Sequence, residues 1–388
     1  MVRAIFRPEK PRPRRGRHVI DRSILMKPIA LLLLAAVSLL FHGCGTGPEQ
    51  RAARKVLAFP PPPAEARFYY ERTLVGTGDP IKKSTETSLR EKLTGESGYR
   101  GRGFAKPFDV AVYKGRVYLS DTVARKVVVL DFPGERSFDL GKDDDDGQLM
   151  KPMGIAIDGN GNAYVADNTL KTVKVYDRDG RYLRSIGNPG IWDRPVGLDV
   201  NPEGSIVYVV DIGGVRSERH RVVMIDALSG KLIRAIGIRG TEPGQFNLPR
   251  DVALGTDGLL YITDGGNFRV QVMTQQGEFV RKWGTPGRRP GQFTRAKGIA
   301  IGPEGHIYVV DAAFGNTQIF TADGQLLMHI GGRSTANAPG KYMLPAGVDV
   351  DEDGRIYMVG QFFRKVDVYR PARLAKDQGY LAGNVKKG

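Results

Sequence analysis

Four aspartates stand out among the side chains able to do chemistry: Asp109, Asp199, Asp251 and Asp349. They fall in short apolar segments that look alike. Clustered carboxylates of this kind supply the hard oxygen ligands that Ca²⁺ prefers. A second set is cationic: Lys106, Lys151, Arg194, Arg250, Arg295 and Lys297 stand at the entrances of the same segments. Gathered on one face, they would form a basic ring that attracts anionic groups. Each set also has a plainer reading. The carboxylates pair with channel Arg or Lys or hydrate a wet tunnel, and the cations belong to solvated loops. Other chemistries have little to work with. Beyond the first 43 residues only His220, His306 and His329 remain, too scattered for a histidine-rich zinc site. There is no Gly-x-Ser-x-Gly elbow for a nucleophile. Asp349, Asp351, Asp353 and Gly354 spell the opening of a calcium loop, but its twelfth position is Gly360 rather than glutamate. The acidic run Asp143 to Asp146 reads as a solvated loop.

The elements that must position these residues are written as repeats. KPFDVAVYKGRVYLSD, KPMGIAIDGNGNAYVAD, RPVGLDVNPEGSIVYVVD, LPRDVALGTDGLLYITD, RAKGIAIGPEGHIYVVD and LPAGVDVDEDGRIYMVG are one pattern in six copies. Each is an apolar strand, a turn and a second strand, ending at Asp121, Asp167, Asp211, Asp264, Asp311 and, out of pattern, Gly360. The spacings of 46, 44, 53, 47 and 49 residues leave room for two further strands, such as KTVKVYD and then GRYLRSIG. Four strands per repeat make a propeller blade, and self-similarity at this period is the strongest signal in the chain. The recurrent terminal aspartates read as turn and interblade hydrogen-bonding groups rather than catalysts. The 50 glycines and 24 prolines suit many short strands joined by tight turns.

The connecting phrases PGQFNLP and PGQFTRA, with NFRVQV at Asn267 to Val272, resemble NHL repeats over residues 66–371. The resemblance implies an all-β, six-bladed propeller of four-stranded antiparallel blades, in which the first strand of each blade lines a central channel. The last copy ends after KVDVYRP with no fourth strand, whereas ARFYYERTLVG, Ala66 to Gly76, is a spare one near the start. Pairing the two closes the ring and removes free sheet edges. Residues 77–100 are an insertion in which Thr87 to Thr94 reads as a short helix with Leu89 and Leu93 on one face, placed to cover one face of the propeller. Residues 372–388 read as a basic tail. In propellers resembling gluconolactonases and paraoxonases a channel metal does the chemistry, so a Ca²⁺-dependent hydrolase or lyase is the alternative to a binding scaffold with no cofactor.

The N-terminal region has another composition. Lys27 precedes the apolar run Ile29 to Phe41, too short to span a bilayer comfortably and suited to a signal-peptide core, and Gly43-Cys44 follows. This resembles the lipobox of bacterial lipoproteins, which implies lipidation of Cys44, the only cysteine of the chain. Residues 1–43 are then a signal peptide with a long basic leader, and Met26 is a candidate for its true start. Residues 44–65, with four prolines from Pro60 to Pro63, form a semi-rigid tether. The leader holds nine Lys and Arg against Glu9 and Asp21, so +7 of the formal +16 leaves with it and the mature chain is near +9. The expectation is an exported monomer, anchored on the periplasmic face of the outer membrane. Its partner would be an envelope protein or anionic envelope component and not nucleic acid.

Overall fold

The computed structural model describes residues 56–82, 84–95, 101–142, 145–214 and 216–382. The leader, Cys44 and the first part of the tether lie outside the described residues. Residues from Val56 onward form one compact unit.

Six antiparallel sheets follow one another in chain order. Their innermost strands are Pro107–Tyr113, Pro152–Ile157, Pro195–Val200, Pro249–Leu254, Ala296–Ile301 and Pro345–Val350. Each lies beside the innermost strand of the next blade, and the sixth lies beside the first, so the ring is complete. The alternation of the second and third strands explains why blades stack. Tyr118, Tyr164, Tyr208, Tyr261 and Tyr357 are all buried at equivalent second-strand positions, where each fills the space toward a neighbouring sheet. The core is therefore six interblade clusters of β-branched and aromatic side chains rather than one central core.

The sixth blade borrows its outer strand. Phe68–Leu74 runs antiparallel to Lys365–Pro371, with Phe68 opposite Pro371, Tyr70 opposite Tyr369 and Leu74 opposite Val366. The short strand Ala58–Phe59 then pairs with Phe68 and Tyr69 and covers that edge. A buried ion pair locks the junction. Arg355 donates to Glu71 at 2.9 Å, to Asp353 at 2.9 Å and to the carbonyl of Gln378 at 2.6 Å.

One expectation needs correction. The insertion does hold a helix, α1 (Thr85–Thr94), but Leu89 and Leu93 are 56% and 77% exposed, so its apolar residues cover no propeller face. Its sequence is too polar to seat them. The segment after Pro371 packs against the propeller as far as Ala382. Leu381 is buried in the cluster between blades 6 and 1, and the Tyr380 amide donates to Asp353 at 2.7 Å.

Candidate functional site

The site is built at the ends of the innermost strands. Each of these strands begins where the second strand of its blade ends, as Pro107 faces Asp121 and Pro152 faces Asp167. The recurrent terminal aspartates are buried here and occupied by backbone. Asp167 accepts from the amides of Met150, Lys151, Thr169 and Leu170 at 2.6 to 2.9 Å. Asp121, Asp211 and Asp311 do the same for Lys106, Arg194 and Arg295. These carboxylates spend their lone pairs on holding the entrance loops, and so fix the backbone from which the basic side chains project. In blade 6, where Gly360 replaces the aspartate, the ammonium of Lys365 bonds the carbonyl of Ala338 at 2.6 Å and Asp367 at 2.8 Å, and Asp367 accepts from the Gly340 amide.

Four of the six cations share one cavity, and Lys106 and Arg295 stand near enough to act on Lys297. Lys151, Arg194, Arg250 and Lys297 line one cavity of about 110 Å³ at the mouth of the channel. Burial together with Arg295, Arg250 and Lys106 depresses Lys297 to about 8, and burial with Arg295 and Arg194 lowers Arg250. Like charges are held close enough to feel one another. Among the described residues none of the six makes an ion pair, whereas Asp193 near the rim is already bonded to Ser217 and Arg219. Blade 6 contributes no cation at the equivalent strand position, where Ala346 stands.

Asp109 and Asp251 lie deeper, at a waist shared by the mouth and a second cavity of about 350 Å³. Asp199 and Asp349 line that second cavity with Asp351 and Glu352, and no lysine or arginine lines it. All four channel aspartates are interblade latches. Asp109 accepts from the Ile155 amide of blade 2 at 3.2 Å, and Asp251 from Ile299 of blade 5 at 3.1 Å. Asp199 accepts from Leu254 at 2.7 Å and Asp349 from Val112 at 2.8 Å, again one blade on. The last three also bond the amide that follows them in their own strand. Burial, only partly offset by these bonds, lifts Asp109 to about 7 and Asp199 to about 6, and burial together with the charges of the neighbouring channel aspartates raises Asp251 and Asp349 well above the usual carboxylate range.

The innermost strands repeat in halves. Asp109 and Asp251 hold the third position in blades 1 and 4, and glycine holds it in the others. A Cβ on Gly197 would fall 2.2 Å from Asp251 Oδ1, and one on Gly347 2.1 Å from Asp109 Oδ1. The blades approach so closely that a side chain fits on one strand of each such pair only.

This donor set does not suit a channel cation. Among the described residues no three His, Cys, Asp or Glu side chains come together to share an ion. The apparent calcium loop is an ordinary turn. Asp351 accepts from Asp353, Arg355 and the Tyr357 hydroxyl, while Asp353 bonds Arg355 and Tyr380. Asp145 caps the Gly147 amide.

Sequence reading passed over the opposite exit. Glu203, Asp257, Glu304 and Glu352 are exposed in the turns between first and second strands. The signal was present as an acidic residue in that turn in five of the six copies. Val123 and Phe362, 62% and 52% exposed, were also passed over. Both lie in turns that flank the basic mouth, since Thr122 and Gln361 donate to the carbonyls of Lys106 and Leu344 at the strand entrances.

Geometry and sequence together define a six-bladed β-propeller. The NHL repeat family matches residues 246–273. NHL repeat-containing protein 3 from Homo sapiens is 33% identical over 110 residues, which are 26% of this chain and 30% of that protein. The chain thus matches less than a third of the length of this relative. A gluconolactonase from Xanthomonas campestris superimposes with a TM-score of 0.53 at 14% identity, covering 78% of this chain and 98% of the other. A streptogramin B lyase structure superimposes with a TM-score of 0.51 at 14% identity, covering 69% and 94%. At such identity the likeness is one of fold.

Proposed function

We propose that the chain is a binding scaffold of the cell envelope, tethered through a lipid on Cys44, that grips an anionic group of an envelope partner at the basic mouth of its propeller. One observation carries this reading: four cations line one channel mouth with two more beside them, and among the described residues none of the six makes an ion pair. Unpaired like charges held together cost stability, and an incoming anion relieves that cost. The carboxylates that a metal-dependent hydrolase would need are instead turned to backbone amides.

The test replaces Lys151, Arg194 and Arg250 together with glutamine. Because these side chains make no ion pair among the described residues, the variant should fold as the parent does. Capture of envelope components from solubilised membranes should fall by about tenfold or more, given roughly 1 kcal/mol for each charge removed from an anion site. An unchanged set of captured partners would sink the proposal.

A further inference from the structure

The channel is electrically polar along its axis, and apolar side chains are exposed in the turns beside its basic mouth. That end carries the exposed Lys106, Lys151, Arg194, Arg250 and Arg295, and the exposed Arg125 and Arg364 in the flanking turns. Val123 and Phe362 protrude among them, with Phe363 stacked edge-on against Phe362 at 5.3 Å and Lys365 beneath it. The other end of the axis is lined by Asp199, Asp349, Asp351 and Glu352, with Glu203, Asp257 and Glu304 in the surrounding turns, where Arg373 pairs with Glu304 and Lys114 is the one exposed cation in a first-to-second-strand turn among the described residues. A body charged in this way turns its basic end toward an anionic surface and its acidic end away.

The chain path agrees. In the sixth blade Leu74 and Val366 lie at the basic end, while Phe68 and Pro371 lie at the acidic end. The strand Ala58–Phe59 is antiparallel to Phe68–Leu74, and the carbonyl of Leu57 accepts from Tyr70. Followed back from Phe59, the backbone therefore climbs toward the basic end. It does so on blade 6, whose turn carries Phe362. Eleven residues lie between Cys44 and Val56, a reach on the order of 40 Å when fully extended.

We propose that the basic end docks flat on an anionic phospholipid bilayer, with headgroup phosphates over the mouth and Phe362 and Val123 entering the interface. This rests on the reading of the mouth as the binding face and commits it to one occupant. Basic side chains near an anionic bilayer contribute about 1 kcal/mol each, and an apolar side chain in the interface adds to a surface contact of this kind.

The experiment uses the chain from Gly45 onward, which contains the whole compact propeller and cannot be lipidated. Flotation with phosphatidylcholine vesicles is compared with flotation on vesicles that also contain phosphatidylglycerol. Binding should rise with phosphatidylglycerol by about tenfold or more and disappear at high salt. The joint Lys151→Gln, Arg194→Gln and Arg250→Gln variant should lose most of that gain. Phe362→Ser should weaken binding several-fold while leaving its salt dependence intact. Equal binding to both vesicles, or a triple variant that binds like the parent, overturns the docking. If the vesicles fail while the triple variant still loses its envelope partner, the mouth grips a protein and only the lipid inference falls. If neither responds, both fall.

Discussion

Individual carboxylates in this propeller are structural before they are anything else. Asp109 accepts an amide of the next blade from a buried position, and burial raises it to about 7; Asp351 is raised to about 7 for the same reason. In the unfolded chain such groups titrate near about pH 4. Between those values the folded state binds more protons than the unfolded state, so stability falls as pH rises from about 4 to about 7 and levels off above that. The urea midpoint should accordingly be higher at about pH 5 than at about pH 8, and Asp109→Asn should shallow that slope. A midpoint that rises across this range would contradict the burial argument. The aspartates that end the second strands were legible as structural because repetition gave them away. The latch role of Asp199 and Asp349 was not, because it depends on amides that lie 55 residues onward in one case and 237 back in the other.

Among the elements, the borrowed strand matters most. Glu71 on Phe68–Leu74 faces Arg355, and both side chains are almost fully buried. Glu71→Ala would leave a guanidinium with only one charged partner, Asp353, inside the blade that closes the ring. The expected loss is about 3–5 kcal/mol of unfolding free energy, read by urea denaturation, with Glu71→Gln costing less because it can still accept the hydrogen bond. A Glu71→Ala variant as stable as the parent would show that the junction does not depend on this pair. The need for a closing strand could be counted from the sequence, since one copy lacked a strand and another segment was spare. Nothing in the local pattern marked Glu71, because its partner lies 284 residues away.

For the molecule as a whole, the separation of charge along the channel distinguishes this propeller from a metal site of the same fold. Four raised carboxylates in one channel look like a calcium centre in a list of residues. In space all four line one cavity, yet each is directed to a backbone amide of a neighbouring strand rather than to a common point. Millimolar Ca²⁺ added to chelator-treated protein should therefore move the melting temperature by less than about 2 °C, because a ligand stabilises only in proportion to its occupancy of the folded state. A rise above about 5 °C that is lost in Asp349→Asn would require a cation held by these residues.

The amino-acid sequence by itself determined the blade count, the strand order and the circle of entrances, because a blade is a local unit and its pattern recurs within one repeat. It also placed cations at five of the six entrances. Only the tertiary structure decided what those residues meet. Whether the cations are paired, where the channel narrows, which carboxylates are consumed by amides and which end of the axis is acidic all depend on contacts between blades, and those contacts are set by how closely neighbouring sheets pack. Val123 and Phe362 show the difference most simply. In the sequence they are apolar residues in turns, and only the closed ring puts both beside the same basic mouth.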